Sequence, residues 1–312
     1  MSENNFTKLH SDFFNILDVA LKSVKDTSPL IHCITNPISI NDCANAVLAL
    51  GGRPIMAEHP MEVKKITEKA SALCLNLANI TDARMESIKI SAMTAYNAHI
   101  PFILDVVGIN CSELRYKYVN NLTEDISPTV IKGNLAEIKK LAHIKASFVG
   151  VDSTEKLEND NDLQNAIDII KNLAFEKNCI IVATGRCDII SDGFNTAIIN
   201  NGSEFLPKIT GTGCMLNVII GTMLAADISS CYSKARSSSD SSANISGPGL
   251  GANMFRVILG TVILGICGEL AELNSHKAGL FCGLGTYHIN LIDALSTFTA
   301  DNIKERVQLR FL

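Results

Sequence analysis

Three stretches of this 312-residue sequence set reactive or charged side chains where chemistry could be done. The first is Ile209-Thr210-Gly211-Thr212-Gly213-Cys214-Met215-Leu216-Asn217, two glycines around a threonine at the entrance to an apolar helical run. Glycine lets backbone pack closely against a ligand. The N–H groups of a first helical turn have no partner inside the helix, so this stretch suits an anion such as phosphate. Charge developing on phosphate oxygens during transfer would be stabilised there. Cys214 stands at the mouth of that helix, where the dipole is expected to depress a thiol pKa. It could accept a proton from an alcohol or simply line the pocket. Nucleophilic cysteine chemistry is disfavoured, because no His/Asn partner pattern accompanies it.

The second stretch is Val130-Ile131-Lys132-Gly133-Asn134-Leu135-Ala136-Glu137-Ile138. Lys132 closes a strand and can reach a phosphate. Asn134 can cap the next helix, with Glu137 three places on. That pair reads as a capping box, or as a place beside a Mg²⁺ that keeps its waters, and spacing does not separate the two. The third feature is Asp105, which ends an apolar strand ahead of Val106-Val107-Gly108. A carboxylate at the carboxyl end of a parallel strand faces the ligand crevice of an open α/β sheet, though an Asp there can also cap a loop. Thr184-Gly185 holds the same kind of position and could touch nucleotide phosphate. Read on residue type alone, Asn36 in His32-Cys33-Ile34-Thr35-Asn36-Pro37 is a helix cap and Met56 a core residue.

The elements that must position these residues alternate along the chain. Short apolar runs predict strands at Leu30–Ile34, Pro54–Ala57, Ala72–Leu77, Phe102–Val106, Thr129–Lys132, Ser147–Val151 and Cys179–Thr184. Helical patterns fall between them at Ser39–Leu50, Met61–Lys69, Asp82–Asn97, Leu135–Ala142 and Asp162–Glu176. Strands without polar alternation, repeated in βα order, imply a mainly parallel sheet covered on both faces. Two short runs around Asp192-Gly193 predict a β-hairpin. Helices follow at Gly213–Ala226, Ala252–Leu273 and Gly279–Thr297. No linker or repeat divides the chain, so a single domain over 1–312 is expected, with a serine-rich disordered insertion at 229–251.

Composition excludes several classes. A net charge of −5 spread over both signs, with no tryptophan and 5% aromatics, argues against a nucleic-acid surface or a polybasic membrane anchor. The ten cysteines include no CxxC pair and mostly lie in apolar runs, as small buried hydrophobes rather than disulfides or zinc ligands. The apolar stretch Val257–Gly268 is too short to span a bilayer. No targeting segment is recognised, and a cytoplasmic location is expected.

Taken together, HCITN at 32–36, LALGGRPIMA at 48–57, Asp105 with Gly108, IKGNLAEI at 131–138, VDS at 151–153, ATG at 183–185, SDG at 191–193, TGTGC at 210–214 and GLGTY at 283–287 resemble the hydroxyethylthiazole kinase family. The resemblance runs in order over about residues 28–297. It implies a ribokinase-like three-layer α/β/α fold and a homotrimer with interfacial active sites. It also implies Mg²⁺ with ATP as phosphoryl donor, and transfer to the hydroxyl of 4-methyl-5-(2-hydroxyethyl)thiazole in thiamine biosynthesis or salvage. By the same resemblance Met56, Gly211 and Asn36 contact the thiazole, Lys132 and Thr184 contact ATP, and Asp105 and Glu137 belong to the magnesium region. Cys214 stands where most ribokinase-like enzymes place an aspartate base. The sequence departs from the family at Lys132 (usually arginine), Val106 (usually proline) and Ala78 (usually glycine), and in the segment 229–251. The alternatives are a kinase of another hydroxymethyl heterocycle, or a non-catalytic thiazole or nucleotide binder.

Overall fold

The computed structural model describes residues 3–143, 159–231, 251–277 and 283–312. The strand expected at 147–151, the match at 151–153, positions 232–250 of the expected insertion and the start of the helix expected from Gly279 lie outside them. Six strands run β1 (Leu30–Ile34), β2 (Arg53–Ile55), β3 (Ala72–Asn76), β4 (Phe102–Asp105), β5 (Val130–Asn134) and β6 (Ile180–Thr184). Between them lie α2 (Ile40–Ala49), α3 (Pro60–Thr67), α4 (Asp82–Asn97), α5 (Glu113–Asp125), α6 (Leu135–Leu141) and α7 (Asp160–Lys177), and α1 (Glu3–Thr27) precedes them. The hairpin strands β7 (Asp188–Ser191) and β8 (Thr196–Ile199) follow. Then come α8 (Thr212–Leu224), α9 (Ala252–Lys277), α10 (Leu284–Thr297), α11 (Ala300–Arg306) and β9 (Leu309–Phe311).

The nine strands among the described residues form one sheet in the order β2-β1-β3-β4-β5-β6-β7-β8-β9. The first six pair in parallel and the last three antiparallel. Strand residues alternate between two cores, as the two-residue period of a strand requires. Ile31, Cys33, Ala72, Cys74, Ile103, Val130, Ile180 and Val182 pack with α1, α2, α8, α9, α10 and α11. Leu73, Leu75, Phe102, Leu104, Ile131 and Ile181 pack with α3 to α7. Both faces are therefore covered, the three-layer arrangement expected.

Four elements were not legible in the sequence: α1, α5, α11 and β9. In α5, Glu-Leu-Arg-Tyr-Lys-Tyr-Val-Asn-Asn-Leu-Thr-Glu-Asp buries only Val119, Leu122 and Thr123, too narrow an apolar stripe to stand out. The three residues of β9 gain their order by pairing with β8 at the sheet edge. Helix α9 runs well beyond the twelve-residue apolar stretch read from the sequence. By length and composition it alone among the described helices could cross a membrane, yet 83% of its most apolar window is buried in the protein. It lies close against α8 at Gly260, where an added Cβ would come within 2.9 Å of the Ile220 Cα.

Candidate active site

The period of two that sorts the apolar residues also aims the polar ones. Asn76, Asp105 and Lys132 have the parity of Cys74, Ile103 and Val130, so they face α8. They also form one row across three strands, since Asn76 is in register with Asp105 and Asp105 with Lys132. Lys132 lies in the middle of β5 rather than at its end, because the strand continues to Asn134. Its Nζ donates to Asp105 Oδ2 at 2.8 Å, and Asn76 Nδ2 donates to the same oxygen at 3.3 Å. Asp105 Oδ1 accepts from the Val107 N–H at 3.1 Å. Burial lowers the lysine's proton affinity, but the charge and hydrogen bond of Asp105 outweigh it, and the net shift is upward. A charged ammonium thus sits almost wholly out of water against a carboxylate.

Opposite this row, α8 opens at Gly211, whose φ of +95° is the left-handed region that favours glycine. The first helical bond, Met215 N–H to Gly211 C=O at 2.8 Å, leaves the N–H groups of Thr212, Gly213 and Cys214 without a partner inside the helix. Nothing but Lys132 Nζ stands near the spot where a Gly213 Cβ would be, at 3.7 Å, so the ammonium lies over this turn. Cys214 Sγ accepts from Asn36 Nδ2 and Asn76 Nδ2, each at 3.3 Å. Both amides are held in orientation by backbone: Asn36 Oδ1 accepts from Ile38 N–H at 2.9 Å and Asn76 Oδ1 from Ala78 N–H at 2.8 Å. The expectation that the helix end depresses the Cys214 pKa is overturned. Burial and then the Asp105 charge push the thiol up, and Ser39, Lys132 and Asn76 offset only part of this. The Ser39 and Asn76 hydrogen bonds and the Lys132 charge do not compensate for lost hydration and the neighbouring carboxylate.

Glu137 caps α6 and also borders the site. Its Oε2 accepts from the Asn134 N–H at 2.7 Å while Asn134 Oδ1 accepts from the Glu137 N–H at 2.9 Å, the capping box read in the sequence. Its Oε1 takes the Gly108 N–H at 2.7 Å, tying α6 to the turn after β4. Burial and then Asp105 raise its pKa from 4.5 to about 7, against the opposing pull of those N–H groups and Lys132. A carboxyl with a raised folded-state pKa adds stability that is complete below pH 4.5 and is lost as pH climbs through about 7. The melting temperature of the metal-free protein is therefore expected to fall between about pH 4.5 and 7 by an increment that Glu137→Gln removes. Parallel pH profiles for the two proteins would contradict this.

Of the eight residues singled out in the sequence, the structure joins Asn36, Asp105, Lys132 and Cys214 through hydrogen bonds: Asn36 to Cys214, Lys132 to Asp105, and Asn76 bridging Cys214 and Asp105. Gly211 adjoins them through Ser39, whose Cβ stands 3.1 Å from where a Gly211 Cβ would be. Thr184 ends β6 in register with Asn134, and its hydroxyl lies 3.4 Å from the Gly133 carbonyl. Met56 stands apart, half-buried beyond the edge strand β2, with no hydrogen bond to the others. Five strand spacings separate it from Thr184, about 24 Å at about 4.8 Å each. Asn76 was missed as a site residue, although a signal existed: it is the polar residue ending an all-buried strand beside Asp105. His32 faces the opposite core, bonded to Thr67 Oγ1 and the Ala57 carbonyl, and serves packing.

A buried row of acid, amide and ammonium beneath a glycine-bounded helix end presents an ammonium and free N–H groups suited to an anionic group such as phosphate. The sequence model of the hydroxyethylthiazole kinase family matches residues 21–301. The chain belongs to the hydroxyethylthiazole kinase family. It is 42% identical over 289 residues to "Hydroxyethylthiazole kinase 2" of Clostridium botulinum (strain 657 / Type Ba4), covering 92% of this chain and 97% of that one. It is 35% identical to the hydroxyethylthiazole kinase of Clostridium beijerinckii, over 93% and 95% of the two chains. Among solved structures, the hydroxyethylthiazole kinase protein from Pyrococcus horikoshii OT3 superposes with a TM-score of 0.76 at 26% identity, over 96% and 99% of the chains. A ribokinase-like superfamily protein from Enterococcus faecalis V583, with a TM-score of 0.53 at 11% identity, shares the fold.

Two of the departures from the hydroxyethylthiazole kinase pattern have places in the site. Lys132, where the family usually has arginine, gives Asp105 a single-point contact in place of a planar fork. Ala78 supplies the N–H that orients Asn76. The turns carrying Asn76 and Asp105 are tied by Arg115, whose Nη1 donates to the Leu77 carbonyl and, at 3.3 Å, to the Val107 carbonyl.

The site also fits the magnesium ion that the family implies. Asp105 and Glu137 are hard oxygen donors near one buried cation, Lys132, and burial followed by the Asp105 charge favours a proton on Glu137 when no cation is present. No group of three metal-type side chains occurs among the described residues. Mg²⁺, which keeps waters and takes phosphate oxygens as ligands, needs no such cage.

Proposed function

We propose that this protein transfers the γ-phosphoryl group of ATP to the hydroxyl of 4-methyl-5-(2-hydroxyethyl)thiazole, in thiamine biosynthesis or salvage. The observation that carries this is the Asn76–Asp105–Lys132 row facing the start of α8, within a chain that has the family's sequence over nearly its whole length. Lys132 and Thr184 meet the nucleotide phosphates, and the free N–H groups at 212–214 hold the transferring group. Asp105 and Glu137 hold the magnesium region, where Mg²⁺ when bound neutralises phosphate charge. Asn36, Gly211 and Met56 line the thiazole side.

The acceptor hydroxyl sits at Cys214. A thiol whose pKa is raised stays neutral at physiological pH, so its share in catalysis is position rather than proton abstraction. Phosphoryl transfer tolerates this, because positioning and charge stabilisation supply most of the rate. Cys214→Ala is accordingly expected to lower kcat by about tenfold. A loss of about a thousandfold would make the thiol an obligatory base.

A homotrimer completes the reading. Ile38, Met61 and Ile289 are 74%, 88% and 66% exposed, large apolar surfaces that a partner copy would cover. Ile38 lies two residues from Asn36 and Met61 five from Met56, so a partner copy covering them would come near both thiazole-side residues. Sedimentation velocity is expected to give the mass of three chains, and a single-chain mass would remove this part. The burial of α9 supports a core helix rather than a membrane span.

The reading is tested by incubating the protein with Mg-ATP and a panel of alcohols, following ADP. ADP formation that depends on the hydroxyethylthiazole supports it. Turnover only with a hydroxymethylpyrimidine would move the substrate to another heterocycle, and thiazole binding without turnover would make the protein a binder.

A further inference from the structure

The contacts within the row bear on how its two ligand charges enter. Asp105 and Lys132 are 2% and 4% exposed, so bulk solvent does not reach either partner. Asp105 already accepts from Lys132 Nζ at 2.8 Å, Asn76 Nδ2 at 3.3 Å and the Val107 N–H at 3.1 Å. The ammonium in turn lies beside the first turn of α8, a short swing from the free N–H groups there. We propose that the Lys132–Asp105 ion pair is a latch: it keeps a lone divalent cation off Asp105 and a lone polyphosphate off Lys132, so the two ligands bind cooperatively. This rests on the kinase reading, in which Asp105 belongs to the metal region and Lys132 to the nucleotide.

The reason is electrostatic. Breaking a buried ion pair by removing one partner leaves the other as an uncompensated charge, which is strongly unfavourable. A cation that drew Asp105 away would strand the ammonium, and a phosphate that drew the ammonium away would strand the carboxylate. When both arrive, each stranded charge finds a new partner, and neither cost remains. By linkage, the gain that nucleotide gives the metal equals the gain that metal gives the nucleotide at this pair.

Two isosteric variants separate the halves. Lys132→Met frees Asp105, and Asp105→Asn frees Lys132; folding of each is checked by circular dichroism. By calorimetry and electron paramagnetic resonance, MnCl₂ alone is expected to bind Lys132→Met about tenfold more tightly than wild type. In EDTA, metal-free ADP is expected to bind Asp105→Asn about tenfold more tightly than wild type. If Lys132→Met does not fold, the ADP measurement on Asp105→Asn carries the test unaided. Affinities equal to wild type overturn the latch and leave the kinase reading intact. Mn-ADP binding that Asp105→Asn does not weaken overturns the placing of Asp105, and both readings with it.

Discussion

Asp105→Asn is expected to lower kcat for phosphoryl transfer by about a thousandfold while leaving thiazole affinity within about twofold. The carboxylate is the only residue of the row in contact with both neighbours, through Oδ2 to Lys132 and Asn76. The amide is the same size and keeps the acceptor for the Val107 N–H, so the turn before Gly108 persists. What is lost is a charge that acts when phosphate charge is shared between the donor and the acceptor. Such an interaction lowers kcat and kcat/KM together, whereas a binding defect would raise KM alone. Steady-state kinetics with each substrate varied separates the two, and a raised KM for thiazole with unchanged kcat would count against the assignment.

Lys132→Met is expected to reduce kcat/KM for ATP by about a hundredfold or more, and to cost about 3 kcal/mol of stability in the free protein. The two effects share a cause but have different readouts. Methionine fills the space of the aliphatic stem but leaves Asp105 buried without its counter-charge, and that appears in thermal melts. The missing positive charge beside the start of α8 appears in ATP kinetics. Lys132→Arg is expected to recover most of both, since the family usually carries arginine there and the fork fits a phosphate. Unchanged ATP kinetics in Lys132→Met would remove the lysine from the nucleotide site, however large the stability loss.

Much of this site was legible before any coordinates, for identifiable reasons. Asp105 and Thr184 end apolar strands in a βα series, and the geometry of parallel sheets sends such residues to one edge. Gly211 announces a conformation that other residues resist. The capping box at Asn134 and Glu137 is a local pattern, and local patterns survive folding. What sequence reading missed depends on distance in space. Asn76 matters because register sets it beside Asp105 and because Cys214 arrives from a helix 138 residues later. The rise in the Cys214 pKa is likewise a property of burial, which the helix-dipole argument does not contain. Lys132 seemed a strand end because the apolar run stops there, yet the ladder to β6 continues through Gly133 and Asn134. The elements α5 and β9 escaped notice because their sequences bury little and their order comes from neighbours.

On this proposal the row beneath α8 moves phosphate from ATP to the thiazole alcohol. The most direct measurement follows ATP labelled at the γ-phosphate, with Mg²⁺ and 4-methyl-5-(2-hydroxyethyl)thiazole, in wild type and Asp105→Asn. Label is expected on the thiazole's hydroxyl oxygen with wild type, and almost none with the variant, which still binds the thiazole. Label released only as inorganic phosphate, or carried to the thiazole equally by both proteins, would contradict it.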